Sequence, residues 1–332
     1  MKNQHQMRAL IVTNMWPSPA APALGSFVRD QVDALRALGE AEIEVFAFAP
    51  GGYARAAHRL RARYRGRRFD VVHAHFGLSA WPAFAVAARR RVVTLHGTDV
   101  RHPRSRLITR AALPHIDLVA TVGADLAAEL DARGGRRRRH RPLAILPCGV
   151  DLGRFAAIPR VDARRRLGLD PGGRYVLFPA DPARASKRAD RAREVAGDAT
   201  LLTLGAVDPG DVGLWINAAN AVVVPSDHEG FGLAVLEALA CDVPVLATPV
   251  GNHAIALDSI AGTLCAPYHR DAWRAALAPH LNTDEPRVSG RARAELWSAR
   301  RMAQRVLVAW SELLAPPLYS PAEAPEIGAV SV

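Results

Sequence analysis

Short runs rich in β-branched residues alternate with helix-like stretches along almost the whole chain, and this alternation leaves few folds open. In the first half the runs are RALIVTN, EIEVFAF, DVVHAHF, RVVTLHG, DLVATVG and LAILPCG; in the second they are YVLFPA, ATLLTLG, NAVVVPS, VPVLATP and GTLCAP. Between the first two lies GSFVRDQVDALRAL, whose Val28, Val32 and Leu35 share one helical face. Strands separated by helices pair in parallel and are covered on both faces, which makes the fold class α/β. So many strands in 332 residues fit two doubly wound domains better than one very wide sheet. The seam is expected near PCGVDLGRF, giving domains over 1–150 and 151–296. Residues 297–314 read as a long amphipathic helix expected to return to the first domain. The Pro- and Ala-rich tail 315–332 is expected to be disordered.

Composition narrows the class. No run approaches the roughly 20 apolar residues of a membrane span, and the N-terminus lacks signal-peptide architecture, so a cytoplasmic location is expected. Cys148, Cys241 and Cys265 are too scattered for a disulfide framework or a zinc site. The net charge of +11 suits an anionic partner, although Arg spread over solvated faces would give the same total. Among 43 basic residues only Lys2 and Lys187 are lysines, so Lys187 stands where a compact point charge is wanted. YARAAHRLRARYRGRRF (53–69) has no acid and places Ala57, Leu60 and Tyr64 on one stripe. It reads either as a solvated helix or as one lying on the inner, anionic face of a membrane. RGGRRRRHR (133–141) reads as a solvated loop. With little aromatic interleaving among the basic residues, no nucleic-acid partner is expected.

The densest chemistry lies in HEGFGLAVLEALACDVPVLATPVG (228–251). Glu229 follows a strand, Gly230 and Gly232 permit close backbone approach, and Glu237 falls in the helix that follows. With Glu237 two helical turns in, the carboxylates would stand about 12 Å apart along the axis. That is too far for a shared proton or a glycosidase pair, and it suits a grip on two ends of an extended polar ligand. A helix glutamate paired with a nearby Arg is the plainer alternative for Glu237. His96, at a strand end, taken alone reads as a structural histidine.

EGFGLAVLE resembles the E-x7-E motif of the retaining GT-B glycosyltransferases, specifically glycosyltransferase family 4. MRALIVTNMWPSPAAPALGSFVRDQVDALRALG, HAHFGLSAW, VTLHGTDV, LPCGVDLGRF and FPADPARASKRAD are similar to further segments of that family in the same order, covering about residues 7–314. The resemblance implies a GT-B fold, two Rossmann-like domains facing across a cleft, the first on the acceptor side and the second binding a nucleotide-sugar. It implies that Glu237 holds the ribose hydroxyls, Glu229 the donor sugar, and the Phe231, Gly232 and Leu233 backbone the diphosphate and sugar. Lys187 would neutralise the diphosphate, Gly25 would belong to a loop approaching the phosphates, and His96 would lie beside the reacting sugar. The Arg usual five residues before the lysine falls on Pro182, with Arg184 three before it instead. The second Gly of the usual Gly-Gly is Asn252, and the acidic residue that often follows is absent from HAIAL.

The resemblance further implies a hexosyl transfer with retention, from a UDP- or GDP-sugar to a glycan or lipid-linked acceptor, as in cell-envelope polysaccharide or glycolipid synthesis. The nucleotide-sugar would be a substrate, and no cofactor is implied. With no D-x-D clamp, Lys187, Arg184 and a helix N-terminus would replace a metal at the diphosphate. A GT-B nucleotide-sugar epimerase and a non-catalytic anion-binding module are the alternatives. A nicotinamide-dependent enzyme is disfavoured because no G-x-G-x-x-G follows a strand.

Overall fold

The computed structural model describes residues 6–132, 142–205 and 207–316. The basic run 133–141 and most of the tail expected to be disordered, from 317 on, lie outside the described residues. Each of the eleven runs named above overlaps a strand. They are β1 (Met7–Thr13), β2 (Ala41–Ala47), β3 (Arg68–His75), β4 (Ala87–Leu95), β5 (Leu118–Thr121) and β6 (Leu143–Ile145), then β7 (Tyr175–Phe178), β8 (Thr200–Thr203), β9 (Ala221–Val224), β10 (Val245–Ala247) and β11 (Leu264–Cys265).

The first six form one parallel sheet in the order β2-β1-β3-β4-β5-β6, and the last five a second in the order β11-β10-β9-β7-β8. These are the two parallel α/β units of a GT-B fold. In both sheets the winding reverses beside the first strand, between β1 and β3 and between β7 and β9. Carboxyl ends of strands diverge at such points and leave a crevice.

The N-terminal helices are α1 (Ser26–Leu38), α2 (Tyr53–Arg63), α3 (Ala80–Ala83), α4 (Thr98–Arg101), α5 (Pro103–Ala112) and α6 (Ala124–Ala132). The α1 face formed by Val28, Val32 and Leu35 is fully buried against Ala9, Ile11 and Val71 of the sheet. Completing that layer is the helix Ala299–Leu314, whose Ala303, Val306, Leu307 and Trp310 join the same core. On the opposite face, α2, α3, α5 and α6 bury Leu60, Ala83, Ala112 and Leu126.

This corrects the stripe expected on α2. Leu60 is fully buried and Tyr64 nearly so, within the core of the domain, and the buried alanine is Ala56 rather than Ala57. The helix therefore turns Leu60 inward and exposes mainly arginines.

The chain crosses between the domains twice, side by side. Val150 donates to the Trp297 carbonyl at 2.8 Å and accepts from the Ala299 N–H at 2.8 Å, so both crossings share backbone hydrogen bonds. A Cβ on Gly149 would stand 2.7 Å from the Ala299 Cα, so the two can lie this close only without a side chain there.

Candidate active site

Loops at the carboxyl ends of the two sheets meet, those after β4 and β9. A Cβ on Gly230 would stand 2.3 Å from the His96 carbonyl oxygen, so the β9 loop touches the β4 loop only because residue 230 has no side chain. Arg101 of α4 reinforces the contact, donating to the Glu229 carbonyl at 2.6 Å while its other nitrogens hold Glu129 of α6 at 2.7 to 3.1 Å. Beside this contact a cavity of about 490 Å3 opens, lined by His96, His102, Arg184, Lys187, His228 and Glu229 among others.

Glu229 is 8% exposed and holds its charge through near neighbours. Lys187 Nζ donates to both carboxylate oxygens, at 2.6 and 2.5 Å, and Ser226 Oγ donates at 2.7 Å. Burial alone would raise its pKa. The ammonium and the hydrogen bonds outweigh that, and the carboxyl stays below its ordinary value. Lys187 is therefore matched by a carboxylate, and any phosphate it receives shares it with Glu229. Arg184, three residues earlier, is exposed at the rim of the cavity.

Glu237 differs in every respect. It is the fifth residue of the helix Leu233–Ala240, a little over one turn from its start, because that helix begins only after Gly232. The helical part of its separation from Glu229 is thus about 6 Å rather than 12 Å. The side chain keeps part of its surface open but makes no hydrogen bond or ion pair among the described residues. Burial pushes its pKa up to about 7, against a partial opposing pull from Arg154 and a further push from Asp30. Arg154 is itself held by Asp30 of α1 through a bidentate pair at 3.1 and 2.5 Å. The charges acting on Glu237 come from that pair and not from Glu229, so the two glutamates do not form a dyad.

Between the glutamates, Gly232 caps the helix with φ +102°, and a Cβ there would stand 2.5 Å from the His253 ring. His253 donates from Nδ1 to the Thr248 carbonyl at 2.9 Å, which leaves Nε2 buried and without a partner among the described residues. Phe231 puts its side chain in the core, and its carbonyl accepts from the Asn252 N–H at 2.8 Å. Leu233, half-buried, begins the helix. Gly25 is the left-handed N-cap of α1, packed so tightly on Met15 that a Cβ would fall 2.2 Å from its carbonyl oxygen. It does not line the cavity beside His96, but Phe27, two residues on, packs on the His96 ring at 4.8 Å.

Asp99 builds the His96 loop. Its carboxylate accepts from the backbone N–H groups of His96, Gly97 and Gly77 at 2.8 to 3.1 Å, tying the ends of β4 and β3 together. His96 Nε2 lies 3.1 Å from His75 Nδ1, and His75 stacks in turn on His73 at 4.7 Å. Burial lowers the pKa of all three, His75 to about 3, so the column is neutral. A neutral His96 offers the cavity a hydrogen bond and no charge.

Residues 10–154 match the model of Glycosyltransferase Family 4, and residues 156–283 match that of Glycosyl transferases group 1. The chain belongs to glycosyltransferase family 4. The glycosyltransferase is 29% identical over 321 aligned residues to a D-inositol 3-phosphate glycosyltransferase of Actinosynnema mirum, covering 76% of this chain and 75% of that one. It spans 61 to 68% of the length of further relatives of that name. Among solved structures it is similar to sucrose-phosphate synthase of Thermosynechococcus elongatus, with TM-score 0.71 and 20% identity over 93% of this chain and 99% of that one. Another is Anabaena Alr3699/HepE in complex with UDP and glucose, with TM-score 0.69 and 14% identity over 92% and 100%.

Several residues of the transferase's cleft escaped the sequence analysis. Arg101, Arg154 and Asp30 act across the domains, and nothing local distinguishes one Arg among so many. His253 directly follows Asn252, which takes the place of the usual second Gly, but a single His carries no pattern. Asn14, whose amide donates to the Tyr53 hydroxyl at 3.0 Å, joins Ser79 at the carboxyl ends of β1 and β3. Only the fold brings these three together.

Proposed function

We propose that this glycosyltransferase moves a hexosyl group from a nucleotide-sugar to a glycan or lipid-linked acceptor, with retention of configuration and without a metal. The observation that carries this reading is the contrast between the two glutamates around one loop. Glu229 is a charged, fixed acceptor beside the cavity that His96 also lines, suited to sugar hydroxyls. Glu237, a little over one turn into the following helix, is an acceptor without a side-chain partner among the described residues, suited to the two hydroxyls of a ribose. A donor spanning them lays its diphosphate over the N-terminus of the helix that follows Gly232, near Lys187 and Arg184. Those fixed cations and backbone N–H groups stabilise the leaving diphosphate as its bond to the sugar breaks. No side chain stands as an evident nucleophile. The departing phosphate therefore takes the acceptor proton on the same face, and neutral His96 steadies a sugar hydroxyl. Glycan or glycolipid assembly at the cell envelope is the setting that suits such acceptors.

UDP is the first donor nucleotide to test, because structural neighbours were solved with UDP and UDP-glucose. A small phosphorylated polyol is the second acceptor reading, favoured by the names of the relatives. Melting temperatures with UDP, GDP and ADP, for wild type and Glu237→Ala, test the donor site. A nucleotide at 100 times its Kd stabilises by about 2.7 kcal/mol, and the shift is expected to vanish in the variant. No shift with any nucleotide would sink the donor assignment. Reversible loss of turnover in EDTA would remove the metal-free mechanism, and donor turnover without acceptor would favour an epimerase.

A further inference from the structure

The outer surface of α5 carries apolar side chains that the fold does not use. Leu107 is 72% exposed and Ile108 43%, and Trp81 of α3, 42% exposed, donates its indole N–H to the Ile108 carbonyl at 3.2 Å. Single exposed apolar residues need no explanation, but these three are held together as one patch. The indole ring is also fixed edge-on against Phe84 at 5.8 Å, so its outward presentation is built in.

The surroundings of the patch are basic and free of acids on the helices that form it. On α5, Arg104 and Arg110 are exposed, and the helix contains no Asp or Glu. α3 packs against both α5 and α2, and α2, which also lacks acids, exposes Arg55, Arg59 and Arg61. With Leu60 in the core, α2 contributes mainly charge. An aromatic and aliphatic tip ringed by arginines matches an anionic lipid interface, where Trp sits at the headgroup level and each basic residue gains from the surface potential. The location fits as well. His102 and Pro103, at the start of α5, line the same cavity as His96, so a bilayer at this face brings lipid headgroups to the mouth of the cleft.

We infer that the α2–α3–α5 face docks on an anionic phospholipid bilayer, with Leu107, Ile108 and Trp81 entering the interface and the arginines on the headgroups. This deepens the lipid-linked reading of the acceptor and rests on it for its purpose. The vesicle assay itself needs no turnover. Sedimentation with phosphatidylcholine vesicles, with and without phosphatidylglycerol, tests it on the full chain. Wild type is expected to bind only the anionic vesicles. Leu107→Ser/Ile108→Ser and Arg104→Glu are each expected to weaken binding about tenfold or more, with an unchanged circular-dichroism melt. Equal partitioning of wild type and both variants would overturn the inference. So would loss on Arg59→Glu/Arg61→Glu alone, or a dimer in gel filtration that Leu107→Ser/Ile108→Ser dissolves. Vesicle binding without any nucleotide-induced melting shift would sink the donor assignment and leave this surface standing.

Discussion

Glu229 and Glu237 lie on either side of one loop, and the protein treats their charges in opposite ways. At the end of β9 the charge is matched in place, by Lys187 at 2.5 and 2.6 Å and by Ser226. In the helix that follows, the carboxyl is left without a hydrogen bond among the described residues, and burial raises its pKa to about 7. The first arrangement stabilises the empty protein, while the second costs stability that only a ligand can return. Pre-organised sites often contain both kinds of group, and the difference can be measured without knowing the substrate.

The largest expected effect is at the matched pair. Glu229→Ala leaves the Lys187 ammonium half-buried and alone, and should cost about 3–5 kcal/mol in urea unfolding. Adding Lys187→Met should return a good part of that loss, because the uncompensated charge is gone. Similar unfolding midpoints for wild type and Glu229→Ala would break the comparison at its first term. The pH dependence has a definite sign. The Glu229 carboxyl is held below its ordinary pKa, so its contribution is present above that value and lost as pH falls through the lower, folded one.

Glu237 should behave in reverse. Its folded pKa of about 7 lies above the ordinary 4.5, so stability falls as pH rises from 4.5 through 7. Glu237→Gln is therefore expected to stabilise the empty protein by about 3 kcal/mol at pH 8, with no gain below pH 4.5, while the nucleotide melting shift disappears. A gain independent of pH would contradict this. Smaller in stability is Gly230→Ala, which forces the His96 carbonyl away and separates the domains while sparing both cores. About 1 kcal/mol of stability and about tenfold in kcat/KM should be lost. The smallest effect sharpens the Glu237 side. Asp30→Asn removes a negative charge and frees Arg154 for Glu237, so the pH midpoint of the Glu237→Gln effect should move lower.

Much of the fold was legible because each strand is a short β-branched run bounded by Gly, Pro or polar residues, and parallel pairing buries both of its faces. Lys187 was legible as the one internal lysine, and the loops that carry Glu229 and His96 were legible for a reason related to that of the strands. Close backbone approach requires glycines at set spacings, and those spacings survive in the primary sequence. The α2 stripe left two readings open because an amphipathic pattern identifies an apolar face without saying what covers it. Leu60 and Tyr64 meet a sheet core, whereas the apolar residues left outside, Leu107 and Ile108, sit on a helix with no clean period. The depth of Glu237 was overestimated because Gly232, with φ +102°, delays the helix by several residues. Arg101, Arg154 and Asp30 were invisible because their partners lie far along the chain.

The paired crossings at Val150 and Ser298 limit how this molecule can open. A single tether would let one domain swivel, tilt and twist against the other. Two segments bridged by a pair of backbone hydrogen bonds, with Gly149 pressed on Ala299, resist twisting against each other and leave bending as the softer motion. The second segment leads directly into the helix that ends near Trp310, whose ring meets His73 edge-on at 5.7 Å at the foot of the histidine column. The axis of the cleft is thus anchored in the N-terminal core, and loosening Trp310 should be felt as a change in donor affinity at a site it never touches.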